Sequence, residues 1–436
     1  MQSYDIIKPG LDYIEQNLKA DITAEELACM AGYSVWHYHR LFAQTIGMPI
    51  AAYIGKQRLD KALSEIAGGR RAIDAAMDYG FDTYAGFYKA FVRVYGGSPK
   101  KYLQKMEVVM ATEKKLQKIL VNWDMPSDLP IMDIYIMDGA KISGDVWSVG
   151  RDYILKTGER ESFLKNIMIS KALAEQGFAA SVPVLTKSGG EYAENLTGKK
   201  IYVLTKGIKG GSLPKQDRFG ENRRDFGVKY GKSIARLHNA LAAVQKNVKV
   251  HEQNLYSHVT EWALPEVRKQ NDKHNIGLPD GFFTDYIEKS GVLFEKMPKQ
   301  LIHRDPNPSN ILFDGNEVSG FINFDISQRN VRLWDPCYCA TGILSEWRGV
   351  NELFPKSSPN IYEKWPDILE GVLQGYNSVN PLTAEEKQAV YYVTCSIQMI
   401  FVAYCEPKPE LKALAETNRE MLKFIVENKA RIKWGD

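Results

Sequence analysis

Cysteine is scarce in this chain of 436 residues, and what there is does not pair: Cys29, Cys337, Cys339, Cys395 and Cys405 are odd in number and scattered, with no C-x-x-C. That argues against a disulfide framework or a zinc knuckle and fits a reducing compartment. Long apolar runs are missing too, since no window approaches the roughly 18 uninterrupted apolar residues of a membrane helix. Residues 1–21 hold no basic stretch followed by an apolar one, so no secretory signal is expected. The expectation is a cytoplasmic protein with no membrane partner. Charge of one sign is absent as well: the net charge of +3 is too mild to argue for nucleic acid by itself. What remains is ordinary globular usage, with 44% hydrophobic and 25% charged residues, 34 Gly and 19 Pro. At roughly 100 to 200 residues per domain, the length allows two to four domains.

The first hundred residues contain a repeat with a period of about 48 residues. One copy runs Ala31-Gly32-Tyr33-Ser34, Leu41-Phe42, Gly47-Met48-Pro49, Tyr53. The other runs Tyr79-Gly80-Phe81-Asp82, Phe87, Phe91, Gly96-Gly97-Ser98-Pro99, Tyr102. Each reads as two helices joined by a glycine turn. In the first, Thr23 and Glu26 form a capping box, and Leu27 and Met30 carry the apolar face. Gly32 then supplies the turn and Ser34 caps a helix over 35–45 that buries Tyr38, Leu41 and Phe42. In the second, Ile73, Ala76 and Met77 face inward and Asp82 caps the helix that buries Phe87 and Phe91. A connecting helix is expected over 50–66. Two such units form a tandem helix-turn-helix, whose second helices would offer Ser34, Trp36, His37, His39 and Arg40, and Thr83, Tyr84, Ala85, Tyr88, Lys89 and Arg93, to a major groove. Arg58, Arg70, Arg71, Lys100 and Lys101 are candidate phosphate contacts. An all-helical protein-binding bundle is the alternative on pattern alone. The run from Gly80-Phe81 through Phe87 and Phe91 to Gly96, Ser98-Pro99 and Tyr102 resembles the signature of the AraC/XylS family of bacterial regulators. The resemblance implies double-stranded promoter DNA as partner and a monomer reading two successive groove faces. Val92 stands where that signature often has lysine.

After Pro126 and Pro130 the texture changes to short β-like runs at 134–137, 147–149, 152–156, 182–185 and 200–204, with a helix over 162–176 and a mostly helical remainder after Gly211. The fold class expected is multidomain: an all-α tandem helix-turn-helix domain followed by an α+β two-lobed protein-kinase-like domain. Its parts are residues 1–110, a linker at 111–130, a β-rich lobe at 131–207 and a large lobe at 208–436. In His303-Arg304-Asp305-Pro306-Asn307-Pro308-Ser309-Asn310, an Asp is followed five residues later by an Asn between apolar segments. Phosphotransferases use that spacing to place a proton-accepting carboxylate beside a metal-binding amide. A turn with an Asx cap is the alternative for this motif alone.

A loop over 138–144 ending in Ser143-Gly144, Lys156 in a strand, Ala235-Arg236-Leu237-His238, the loop from His303 to Asn310, Ile322-Asn323-Phe324 and Trp334-Asp335 resemble, in this order, the aminoglycoside phosphotransferase and choline kinase branch of the protein-kinase-like fold. The resemblance implies Asp305 as catalytic base; Lys156, Ser143, Gly144 and Val203 about a nucleotide; and ATP or GTP with Mg²⁺ as cofactor. Asn310, Asn323 and Asp325 fall at or near its metal positions. His238 and Asp335 match structural positions, and Trp334, Trp347, Tyr338 and Tyr404 fall where a substrate cleft is lined. Two departures stand out. Asn323 replaces the metal-binding aspartate, removing a negative charge that Mg²⁺ favours. Asn166 stands where a helix glutamate should pair with Lys156. These point to a weak or inactive phosphotransferase domain serving as sensor of a small-molecule or nucleotide effector in a DNA-binding regulator. The alternatives are an active ATP/GTP-dependent small-molecule kinase carrying a DNA-binding domain, and a nucleotide-binding scaffold without a DNA target.

Overall fold

The structure is a computed structural model that describes residues 3–126, 128–134, 145–194, 200–246, 248–348, 361–432 and 434. The chain divides into two compact units, one formed chiefly by residues 1–121 and the other by 145–436 with short pieces before it.

The first unit is all helical: α1 (Ser3–Gln16), α2 (Ala24–Ala31), α3 (Val35–Ile46), α4 (Ile50–Ala67), α5 (Ala72–Asp78), α6 (Tyr84–Tyr95) and α7 (Pro99–Leu120). The capping box forms as the residues require, with Thr23 Oγ1 accepting from Glu26 N and Glu26 Oε2 accepting from Thr23 N. Gly32 and Gly80 sit at φ +72° and +78°, the left-handed turn of each helix pair, where a Cβ would be strained. Phe42 and Phe91 are fully buried and each meets a tyrosine edge-on: Tyr53 at 5.5 Å and Tyr102 at 5.6 Å between ring centroids. The repeat in sequence is thus a repeat in packing.

Some details differ from expectation. Thr83, not Asp82, caps α6, accepting from Gly86 N at 3.0 Å. Met30, Ile73 and Met77 are exposed, Leu27 and Ala76 are buried as expected, and Ala28 and Ala75 take the remaining inward places. Helices close enough to bury alanine leave longer side chains at the rim. Residues 111–120, expected in a linker, continue α7, because the prolines that stop a helix come only at 126 and 130.

The second unit starts with a five-stranded sheet in the order β1-β2-β3-β5-β4. Its strands are β1 (Ile131–Asp133), β2 (Val146–Val149), β3 (Tyr153–Glu159), β4 (Ala193–Glu194) and β5 (Lys200–Lys206), with α8 (Arg160–Glu175) between β3 and β4. Residues 182–185 are not a ladder strand; they touch β5 through the Pro183–Thr205 bridge and Val184 N donating to Leu204 O. Of the strand expected at 134–137, residues 135–137 lie outside the described residues. The larger part holds α9 (Arg223–Val244), α10 (Leu255–His258), a π-helical turn at Val259–Ala263, α11 (Leu264–His274) and α12 (Asp280–Lys296). Then follow β6 (Lys299–Ile302), β7 (Ile311–Asp314), β8 (Glu317–Phe321) and β9 (Gln328–Val331), and last α13 (Trp334–Arg348), α14 (Ile361–Val379), α15 (Ala384–Cys405) and α16 (Lys412–Glu427). α9 and α14 cross at glycines: a Cβ on Gly231 would lie 1.9 Å from Val372 O, and one on Gly375 2.1 Å from Val228 O. α15 is long and apolar enough to cross a membrane, but its most apolar window is 78% buried inside this unit, as a core helix is.

Candidate functional site

The helix-turn-helix unit presents its second helices outward. Ser34, Trp36, His37 and Arg40 of the first copy and Thr83, Tyr84, Ala85, Tyr88, Lys89 and Arg93 of the second are exposed, while His39 is half-buried. Ser34 and Thr83 are the caps of α3 and α6, so their hydroxyl oxygens already accept backbone N–H groups. Trp36 is 71% exposed, with the Arg40 guanidinium 5.7 Å from its ring centroid. Large aromatics left in water beside cations are what a groove-reading face needs. Three expected phosphate contacts are engaged within the unit, among them Arg71, whose Nε lies 3.5 Å from Asp74 Oδ2. Arg58 donates to Leu18 O at 3.0 Å and Ala20 O at 2.7 Å, tying α4 to the chain after α1. Arg70 pairs with Glu65 and with Asp78, joined by Lys19. Tyr79, Arg70 and Lys19 together hold the Glu65 carboxyl down at about 2. Lys100 remains exposed.

In the second unit the motif at 303–310 is a loop between β6 and β7, built around Asp335. This fully buried carboxylate accepts from His303 N at 2.8 Å and Arg304 N at 3.0 Å, and from His238 Nε2 at 2.8 Å. His238 Nδ1 meets Tyr376 OH at 2.8 Å. His238 and Asp335 thus hold the loop's backbone. Burial lowers the His303 pKa, and its ring bridges Ile322 O and Asp305 N.

Asp305 accepts hydrogen bonds on both carboxylate oxygens. Its Oδ1 accepts from Tyr338 OH at 2.6 Å and Asn307 Nδ2 at 2.8 Å, and its Oδ2 accepts from Asn310 Nδ2 at 3.0 Å. From Asp305 a chain of amides reaches Lys156 on β3. Lysine only donates, so Lys156 Nζ takes Asn323 Oδ1 and leaves Asn323 Nδ2 to donate to Asn310 Oδ1 at 2.6 Å. That turns Asn310 Nδ2 onto Asp305, which only accepts. A donor at one end and an acceptor at the other therefore fix both amide orientations between them. Asn323 sits at φ +68°, a conformation asparagine tolerates better than most residues.

Asn166, at the position expected for a glutamate, makes no hydrogen bond to Lys156; its Oδ1 accepts from Phe324 N at 3.3 Å, while Ser162 Oγ donates to Asp325 O at 3.0 Å. α8 thereby grips the 324–325 backbone. Asp325 is mostly buried, and its Oδ1 has no hydrogen-bond partner. Burial raises its carboxyl pKa, and the charges of Lys156 and Lys165 oppose that rise. Burial in turn lowers the pKa of Lys156 and of Lys165. Val203 is the register partner of Lys156 and packs against Phe163, Ile167 and Ile201. Ser143, Gly144 and the side chain of Trp347 lie outside the described residues. Trp334 and Tyr338 stack at 5.8 Å beside the loop, and Tyr404 is exposed at the end of α15. The sequence pattern gave no sign of Asn307 or Lys165, nor that Tyr338 bonds Asp305 directly.

The model of the phosphotransferase enzyme family matches residues 140–376, more than half of the chain. The chain belongs to that family. Its first unit is a DNA-binding helix-turn-helix regulator domain. The helix-turn-helix domain model matches residues 27–105. The HTH-type transcriptional activator AarP of Providencia stuartii is 36% identical over 98 residues, 22% of this chain and 73% of that protein. The transposon Tn10 TetD protein of Escherichia coli is 34% identical over 98 residues, 22% of this chain and 71% of that protein. Among solved structures, the GDP complex of aminoglycoside 2'-phosphotransferase-IIIa superposes with a TM-score of 0.51 at 12% identity, covering 73% of this chain and 99% of that one. Amicoumacin kinase hAmiN, in complex with AMP-PNP, Ca²⁺ and Ami, gives 0.50 at 14%, covering 73% and 95%. At these identities the likeness shows the fold.

A phosphotransferase of this fold places Mg²⁺ between nucleotide phosphates and a protein carboxylate. The donor set in this chain fits that ion poorly, because the neutral Asn323 stands where a carboxylate would meet it. The side-chain oxygens of Asn323 and Asn310 each accept a hydrogen bond inside the chain of amides and both oxygens of Asp305 accept as well, which leaves Asp325 Oδ1 as the carboxylate oxygen without a hydrogen-bond partner at this site. Among the described residues no group of three or more His, Cys, Asp or Glu is placed to hold a metal.

Proposed function

We propose that the protein is a transcription regulator that reads promoter DNA with α3 and α6, and that its phosphotransferase-family domain senses a small-molecule or nucleotide effector without transferring a phosphoryl group. One observation carries the reading: the neutral Asn323 sits between Lys156 and Asn310, closing on itself a network that a phosphotransferase leaves open to metal and phosphate. A sensor needs only that its ligand bind two arrangements of the protein with unequal affinity; uniform binding shifts nothing. The retained Asp305–Asn310 pair favours an active kinase as the second reading.

The test uses the full-length protein. An operator is selected from random duplexes and its affinity measured over a range of salt, with and without ATP or GTP, while phosphoryl transfer is followed in parallel. Binding that weakens steeply with salt, an operator affinity that shifts about five-fold or more with ligand, and no transfer dependent on Asp305 are expected. Turnover that vanishes in Asp305→Ala would establish the kinase. Failure to select any duplex would leave a nucleotide-binding scaffold.

A further inference from the structure

Arg304 is the residue beside Asp305 that the phosphotransferase reading does not use. It is half-buried, sits at φ +76° and is held from three sides. Its guanidinium lies 3.7 Å from the Trp334 ring centroid, its carbonyl accepts from Trp334 Nε1 at 3.0 Å, and its N–H is fixed by Asp335. Other arginines of the same unit meet carboxylates: Arg332 meets Glu386 at 2.8 Å, Arg419 meets Glu406 at 2.7 Å, and Arg223 meets Asp367 at 2.5 Å. Arg304 forms no ion pair among the described residues. Its one side-chain hydrogen bond runs to the neutral Gln253 Oε1 at 3.3 Å, and that oxygen is shared with Gln328 Nε2. Burial pulls the guanidinium down to about 10 against the opposing pull of Tyr338, Asp335 and Asp305, none of which bonds it, and its charge contributes to lowering the neighbouring His258. A fixed, partly desolvated guanidinium with an unused donor edge is costly unless an acceptor arrives.

We propose that Arg304 is the receptor for an oxyanion, a carboxylate or phosphate, on the small molecule bound beside Asp305. The planar fork matches such a group with two parallel hydrogen bonds. The stack Arg304–Trp334–Tyr338 then places the anionic end of the ligand on the wall that carries Asp305, since Tyr338 OH is bonded to Asp305 Oδ1. The inference rests on the reading of this cleft as an effector site and adds the ligand's charge.

Four matched probes test it on the full-length protein by calorimetry at fixed ionic strength: glucose 6-phosphate, glucuronate, glucose and glucosamine. Inorganic phosphate against chloride in thermal denaturation serves as the minimal probe. The two anionic sugars are expected to bind about ten-fold or more tighter than glucose, with glucosamine weakest, and phosphate is expected to raise Tm beyond chloride. The order of the two anionic sugars separates phosphate from carboxylate as the source. Arg304→Gln removes the preference, Arg304→Lys keeps part of it, and Arg304→Gly removes it while suiting the backbone, which separates loss of the site from loss of fold. Equal or tighter binding of glucosamine, an unchanged order in Arg304→Gln and Arg304→Gly, or no anion preference in any probe overturns the proposal. Operator affinity measured with the same probes keeps the two readings apart. Anion preference without any change in operator affinity retires the sensing role and leaves the site, whereas a neutral ligand that changes operator affinity does the reverse.

Discussion

The two units spend their polar side chains in opposite ways. On α3 and α6 the groups that face outward, from Trp36 and Arg40 to Tyr88, Lys89 and Arg93, are exposed. Around Asp305 each amide and carboxylate in the chain from Lys156 to Tyr338 is used up by its neighbour. An open face waits for a partner with many acceptors, such as a DNA backbone. The amides of the chain are engaged with one another, and the open groups lie beside them: Asp325 Oδ1, which has no hydrogen-bond partner, and the spare donors of Arg304. The contrast teaches where recognition resides: in the first unit it is spread over a surface, and in the second it is concentrated at the edge of a site that satisfies itself.

The comparison breaks most visibly at Asp305. Asp305→Ala leaves Tyr338 and Asn307 without their acceptor and Asn310 Nδ2 with only the residue 305 carbonyl, and chemical denaturation of the second unit is expected to show a loss of about 3 kcal/mol. A gain in stability would mean instead that Asp305 is held under functional strain. Next in size, Lys89→Ala with Arg93→Ala should weaken operator binding by about ten-fold or more and reduce the salt slope by about one for each DNA phosphate that no longer meets a cation. On the stability side the same face should be nearly silent: Tyr88→Ala is expected to change the unfolding free energy by less than about 0.5 kcal/mol while lowering DNA affinity. A large loss of stability there would make α6 a packing surface. The smallest effect concerns Glu65. Its folded pKa lies below the ordinary 4.5, so its contribution is present above pH 4.5 and is lost as pH falls through about 2. Glu65→Gln should make the acid unfolding of the first unit less steep in that window and affect neutral pH only through the missing ion pairs. An unchanged acid profile would show that the cluster is solvent-screened.

Much of this was legible in residues. The glycine turns, the caps at Thr23 and Ser34, and the paired Phe42–Tyr53 and Phe91–Tyr102 contacts follow from short-range chemistry that repeats along the chain. The Asp305–Asn310 spacing announced the loop for a similar reason. What stayed hidden depends on partners far apart in sequence. Arg58 and Arg70 looked like spare cations until the fold brought Leu18, Ala20 and Asp78 to them. Asp82 and Thr83 are both competent caps, and only the start of α6 decides between them. The glycines of α9 and α14 carry no signal within their own segments, and their need shows only where the two helices cross at Gly231 and Gly375. The direction of the amide chain needs Lys156 and Asp305 in place together, and no spacing within either segment encodes it.

We propose that Asn323 closes the site to metal. Calorimetric titration of the full-length protein and of Asn323→Asp with ATP and GTP, each with and without Mg²⁺, tests it most directly. Native protein is expected to bind nucleotide indifferently to Mg²⁺, and the variant's binding is expected to become Mg²⁺-dependent. Native protein that binds nucleotide tightly only with Mg²⁺ would contradict it.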